Sequence, residues 1–261
     1  MSNEHLIVKI AQKRFKETNM ADEKHTVHFD DNDKQNKFLN DLENYPHAFV
    51  LACLMDRQVK AEMAWRIPFV IYEELETFDI HKLAKIDLSA YVDMFSGKNK
   101  TGQKLHRFND TMPSIFRDGV LGIIKKYNGN AANIWLGKPS SASVVYRFLE
   151  FRGCGVKIAT MAANILARQF RIPFSDYYSI DISPDIHIQR VMKRMGFIDE
   201  KCNLDMIIYK ARELYLQFPG IIDFSCWEIG RAYCKPTKPK CEECIVKSEC
   251  KSAFKIQELC H

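Results

Sequence analysis

Long apolar runs, internal repeats and low-complexity tracts are missing from this sequence, and strand-like alternation is rare. The longest uninterrupted apolar run is Ala48–Met55, far too short to span a bilayer. The charged, amphipathic start, MSNEHLIVKIAQKRFKE, lacks the apolar core of a signal peptide. Membrane insertion and export are therefore not expected, and the expected location is cytoplasmic, nucleoid-associated in a prokaryote. Glycine and proline are few, 11 and 9 in 261 residues, which excludes collagen-like structure. Hydrophobic residues at 46% and charged residues at 27% exclude intrinsic disorder and leave enough apolar side chains for one large core or two smaller ones. The excess of 38 Lys+Arg over 33 Asp+Glu, net +5, permits an anionic partner without demanding one.

What remains reads as helix. Helical spacing of apolar residues predicts segments at about 3–19, 34–43, 47–57, 58–66, 68–76 and 112–127, the last ending at Asn128-Gly129. The acidic stretch 21–34 and the basic stretch 96–104 read as loops. Ser140 or Ser141 can cap a helix running to about Phe151. Gly153-Cys154-Gly155 then makes a tight turn, and a further helix runs from about Val156 to Phe170. Ser183-Pro184-Asp185 starts another, with serine as cap, that Gly196 closes.

Nine cysteines, an odd number, in a chain without an export signal argue against a disulfide framework. Cys53, Cys154, Cys202, Cys226 and Cys260 are scattered and read as inert thiols. Cys234, Cys241, Cys244 and Cys250 fall within seventeen residues, C-x6-C-x2-C-x5-C. Four thiolates so close suit one metal centre, zinc or iron–sulfur; the ligand chemistry alone does not separate the two. The loop between the first two carries Lys235, Lys238 and Lys240 and two prolines. It reads either as a phosphate-contacting loop or as an ordinary solvated one.

Two helix starts carry further chemistry. Glycines at 153 and 155 let the backbone turn and leave N–H groups free to bind a phosphate. Lys157 follows in the first helical turn, where the helix dipole favours the neutral, nucleophilic amine. Lys157, Thr160, Asn164 and Arg168 also fit one solvated face. Asp185 begins the segment DIHIQRV, as a structural cap or as a carboxylate that stabilises charge in a cleft. His187 reads as a packed histidine.

In their order along the chain, these pieces resemble the endonuclease III branch of the helix–hairpin–helix DNA glycosylases. The cysteine pattern is similar to that family's [4Fe–4S] loop. FRGCGVKIA resembles its L-P-G-V-G-x-K-T-A hairpin, and DIHIQRV its V-D-T-H-x-x-R-V segment. LMDRQVKA is similar to L-S-A-Q-A-T-D. The resemblance implies an all-α, two-domain fold, with a six-helix domain at about 41–168 and a cluster domain formed by 1–40 and 169–261. It implies a monomer that holds a [4Fe–4S] cluster on Cys234, Cys241, Cys244 and Cys250, with zinc as the alternative. The partner is double-stranded DNA with a damaged base or an abasic site, lying across a cleft that Lys157 and Asp185 face. Lys157 and Asp185 take the positions of the family's catalytic lysine and aspartate. Gln58 takes that of the residue filling the gap left by a flipped base, Gly153 and Gly155 contact phosphate, and Lys235, Lys238 and Lys240 contact DNA. The implied activity is base excision, of an oxidised pyrimidine, with strand nicking by β-elimination. The alternatives are a monofunctional glycosylase in which Asp185 activates water, or a non-catalytic DNA-binding module. The chain departs from the family at Arg152, where proline is usual, at Cys154, where valine or isoleucine is usual, and in a longer Lys157-to-Asp185 segment. That segment adds Phe174, Tyr177 and Tyr178, which are expected beside the pocket, and brings Asp176 and Asp181 as rival carboxylates.

Overall fold

The computed structural model describes residues 4–20 and 26–258. Cys260 and residues 21–25 of the acidic loop lie outside them. Thirteen α-helices and no strand occur among the described residues. They are α1 (Leu6–Met20), α2 (Asp33–Asn40), α3 (Pro46–Met55), α4 (Ala61–Leu75), α5 (Ile80–Ala84), α6 (Leu88–Ser96) and α7 (Met112–Tyr127). They continue with α8 (Ser141–Leu149), α9 (Val156–Arg168), α10 (Ile186–Met195), α11 (Leu204–Leu214), α12 (Asp223–Ala232) and α13 (Lys251–Glu258). No helix among the described residues is long and apolar enough to cross a membrane.

The chain divides into two compact units. One comprises residues 24–139 and 146–162, the other 1–23, 140–145 and 163–261. The sequence boundary near 41 leaves residues 26–40 out of the first unit. The structure puts them in it, because Phe38 of α2 packs on Phe69, Tyr72 and Phe78.

The first unit is organised around α3. Its sequence, PHAFVLACLM, is apolar on every side, and all ten residues are buried, as such a helix must be. Pro46 occupies its first turn, where a missing N–H costs nothing. α4 and α7 pack against it. At the α7 contact Gly119 permits close approach. A Cβ there would lie 2.9 Å from both Leu51 Cδ2 and Leu54 Cδ1. The sequence predicts a break between 66 and 68, but α4 runs through Pro68. An interior proline costs about 3 kcal/mol. The buried face Ala64, Trp65, Ile67, Phe69, Val70 and Ile71 offsets this, since each large side chain is worth about 1.5–3 kcal/mol.

In the second unit α10 packs on α12 and α13, and α1 packs on α12 and on the short 3-10 turn Pro219–Ile222. α10 begins at Ile186 with Asp185, not Ser183, as its cap. The Ser183 N–H is instead drawn to the buried Asp223 Oδ2 at 2.6 Å. Gly196 ends the helix in the left-handed conformation, as the sequence predicts.

Candidate functional site

The hairpin of the first unit forms where the chain passes from α8 to α9. Ser140 caps α8, its Oγ accepting from Ser143 N at 3.2 Å. The turn closes through Cys154 N donating to Phe151 O at 3.1 Å. Gly153 has φ +83°, a left-handed conformation that favours glycine, and a Cβ there would press on Ile115 Cδ1 at 3.2 Å. Gly155 faces open space, and its carbonyl accepts from Ile158 and Ala159 N at 3.0 Å each. The N–H groups of Gly153, Gly155, Val156 and Lys157 have no backbone acceptor among the described residues. Four donors at the positive end of a helix suit an anion.

Arg152, standing where proline is usual, reaches Asp118 Oδ2 at 2.6 Å on the surface. Cys154 is buried beneath the turn, and burial pushes its thiol up to about 12. Lys157 is half exposed, and its Nζ lies 3.2 Å from Asp56 Oδ2. The expectation of one solvated face on α9 fails. Thr160 and Asn164 are buried, their side chains bonded to Val156 O at 2.9 Å and Asp181 O at 3.0 Å. Arg168 is buried with Asp223.

The α3–α4 turn belongs to the same unit. Gln58 is exposed and held at φ +54°, a sparsely populated region for a non-glycine residue, and one that marks functional loops. Its carbonyl accepts from Arg107 Nη1 at 3.3 Å. His106 underpins the turn: Nε2 bonds Met55 O at 3.2 Å and Nδ1 accepts from Phe108 N at 3.0 Å. Burial lowers its pKa.

In the second unit Asp185 Oδ1 accepts from His187 N and Ile188 N, both at 2.8 Å. The cap is thus formed by one carboxylate oxygen, leaving Oδ2 for other chemistry. The rival carboxylates are engaged. Asp181 is clamped by Arg212 through two 2.8 Å bonds, and Asp176 bonds the hydroxyl and N–H of Ser141. The longer segment packs Phe174 against Tyr177, with ring centroids 6.2 Å apart, and leaves Tyr178 outside that contact. Phe174 is buried and Tyr177 stacks on Phe218 at 5.0 Å, while Tyr178 is half exposed.

Two arginines on α10 tie this helix to the cysteine loop. Arg190 donates to Cys234 O at 2.6 Å and Gly230 O at 2.9 Å. Arg194 donates to Lys235 O at 2.6 Å and Pro236 O at 2.8 Å, and its Nη1 lies 3.4 Å from Cys234 Sγ. Cys234, Cys241, Cys244 and Cys250 wall one cavity of about 120 Å3, with Val191, Met195, Ile229 and Val246. Burial pushes the Cys241 and Cys244 thiols up, and the neighbouring sulfurs add to this. A set of soft donors, an apolar lining and a guanidinium beside the sulfurs fits an anionic metal–thiolate centre. Among the described residues, no three Cys, His, Asp or Glu side chains form a site for a single ion. Lys235, Lys238 and Lys240 are exposed. Lys235 bonds Arg231 O and Lys240 lies 3.6 Å from Glu243. Of the scattered cysteines, Cys53, Cys154 and Cys226 are buried and Cys202 is half-buried.

Sequence reasoning passed over Asp56, Arg190 and Arg194. Asp56 carries no spacing signal, since its partner is 101 positions away. The two arginines had one, a basic pair at i, i+4 on a helix otherwise read for its aspartate.

No protein-family profile matches the chain. The endonuclease III of Thermotoga maritima is 23% identical over 211 residues, covering 81% of this chain and 85% of that protein. Among solved structures, a non-covalent endonuclease III–DNA complex matches with a TM-score of 0.60 at 16% identity, over 97% of each chain. A trapped endonuclease III–DNA covalent intermediate matches at 0.57 and 17%, over 86% of this chain and 94% of that one. A thermostable thymine-DNA glycosylase matches at 0.58 and 14%, over 95% and 97%. The all-helical fold of this chain is that of the endonuclease III-like helix–hairpin–helix glycosylases.

Proposed function

We propose that this chain, on an endonuclease III-type fold, excises a damaged base from double-stranded DNA and nicks the abasic strand. The observation that carries the reading is the hairpin itself. N–H groups with no backbone acceptor among the described residues follow a left-handed Gly153, and a half-exposed lysine occupies the next turn. A phosphate held by those N–H groups brings the deoxyribose of the adjoining nucleotide toward Lys157.

The chemistry follows from the side chains. The damaged nucleotide leaves the stack, and Gln58 fills the gap. The neutral Lys157 amine bonds to C1′ as the bond from C1′ to the base breaks, and the base leaves with a proton. Ring opening yields a Schiff base. Loss of a proton from C2′ then expels the 3′ phosphate and cuts the strand. Asp185 stabilises the positive charge that develops on the sugar. Oxidised pyrimidines are the substrate class, and Lys238 and its neighbours contact the backbone outside the lesion. Cys234, Cys241, Cys244 and Cys250 hold a [4Fe–4S] cluster. The apolar lining around the four sulfurs and the Arg194 guanidinium beside Cys234 support that reading. When bound, the cluster supplies a structural tether for the basic loop.

A second reading has one observation in its favour. Lys157 forms an ion pair with Asp56, as a lysine serving only as a cation would. In that case Asp185 activates water and base release occurs without strand cleavage.

Borohydride trapping on an oligonucleotide with an abasic site separates the two. Wild-type protein forms a covalent adduct, and Lys157→Gln forms none while still binding the DNA. A fully active Lys157→Gln removes the lysine's role, and base release with no adduct selects the second reading. Binding of either kind weakens steeply with salt.

A further inference from the structure

Lys157 and Asp56 are each badly placed for their own helix. Lys157 is a cation at the second position of α9, next to the positive end, and Asp56 is an anion at the C-cap of α3, next to the negative end. Neither is accounted for by helix stability, yet the fold brings them to 3.2 Å. Asp56 is only 10% exposed at its side chain and makes no other side-chain hydrogen bond or ion pair among the described residues.

The charged groups around this pair are otherwise positive or engaged. Arg57 follows in the same turn and lies against Gly153 of the hairpin. Arg107 bonds the Gln58 carbonyl. From α7, Asp118 is taken by Arg152. His106 has both ring nitrogens bonded, and Cys53 and Cys154 are buried thiols whose pKa values burial raises. Within this unit, Asp56 is thus the carboxylate paired with the lysine amine, on a surface otherwise rich in cations.

We propose that Asp56 is a positioning residue for Lys157, a latch that holds the amine beside the hairpin until it reacts. The inference rests on the lyase reading above. On a surface that meets DNA, an untethered lysine would pair with the nearest phosphate and stay an ammonium there. Asp56 competes with the phosphates and keeps Nζ at the hairpin. Loss of the proton from Nζ ends the ion pair and frees the lone pair for bonding, so the latch opens in the form of the amine that reacts.

The test compares wild type, Asp56→Asn and Asp56→Glu. Lys157 is labelled with acetic anhydride at one fixed pH and read by peptide mass spectrometry, which needs no enzymatic turnover. The same proteins are then trapped with borohydride on abasic DNA. In Asp56→Asn the labelling of Lys157 rises about two- to fivefold, the size expected for losing a partly exposed ion pair. The trapping rate at saturating DNA drops because the amine is no longer held, and Asp56→Glu returns both readouts toward wild type. Unchanged labelling in Asp56→Asn overturns the proposal. If wild type gives no adduct while the labelling still changes, the lyase reading falls and the pairing of the two residues stands.

Discussion

The two units hold their functional residues by different means. In the first, the residues proposed for chemistry stand on an apolar scaffold. α3 is buried along its whole length, Gly119 lets α7 close on Leu51 and Leu54, and the Asp56 turn and the hairpin lie at the edge of that core. In the second, the corresponding residues are held by polar anchors. Arg190 and Arg194 grip carbonyls of the cysteine loop, Arg212 grips Asp181, and Asp223 takes the Ser183 N–H. Between Cys234 and Cys250 only Val246 is a buried apolar side chain. A loop with so little apolar content cannot hold its shape by burial. The lesson is that the first unit depends on packing, whereas the cysteine loop depends on its polar clamps and on what its four sulfurs bind.

The largest test of that contrast is Cys244→Ser. Structural metal centres contribute on the order of 10 kcal/mol. With the cluster proposed above bound to these sulfurs, the variant loses visible absorption and the amide-exchange protection of α10, while α3 keeps its protection. Equal loss in both helices would erase the contrast.

Next in size, Leu54→Ala cuts into the packed scaffold and costs about 2–5 kcal/mol in urea unfolding. Gly119→Ala overpacks the same contact and costs about 1–3 kcal/mol. The methyl added at 119 points at the space Leu54 vacates. The double variant is accordingly more stable than the sum of the single losses predicts. Strict additivity would show that α3 and α7 are not packed as described.

The smallest effect is a pH dependence specific to the first unit. His47 bonds Phe78 O at 2.6 Å and His106 bonds Met55 O at 3.2 Å. Burial lowers the pKa of both below the ordinary 6.5. The unfolded chain then binds protons that the folded unit does not. Their contribution to stability is complete above pH 6.5 and falls away as pH drops from there through the folded-state values. Hydrogen exchange of α3 at pH 7.5 and pH 5 reads this directly, and replacing both histidines with glutamine flattens the difference.

The chemistry-bearing motifs were legible because each is local. A cysteine framework, a glycine turn and an aspartate before a helix act through neighbours a few positions away, so spacing alone exposes them. The four cysteines do share one cavity, Gly153 does take positive φ, and Asp185 does cap α10. The cap also shows a limit of local reading. Ser183 is as good a cap by type, but the helix begins only at Ile186, and Asp185 Oδ1 takes the N–H groups of its first turn.

The sequence by itself determined that the chain is helical, where the hairpin turns and which thiols gather, since these follow from backbone propensity and short-range spacing. Tertiary structure alone decided that α4 runs through Pro68, that residues 26–40 join the first unit, and that Thr160, Asn164 and Arg168 turn inward. It also decided which carboxylate meets Lys157. Asp56 and Lys157 are 101 positions apart, and nothing in either local sequence requires the other. Their meeting depends on the burial of α3, which places its C-terminus beside the hairpin, and burial is a property of the packed whole.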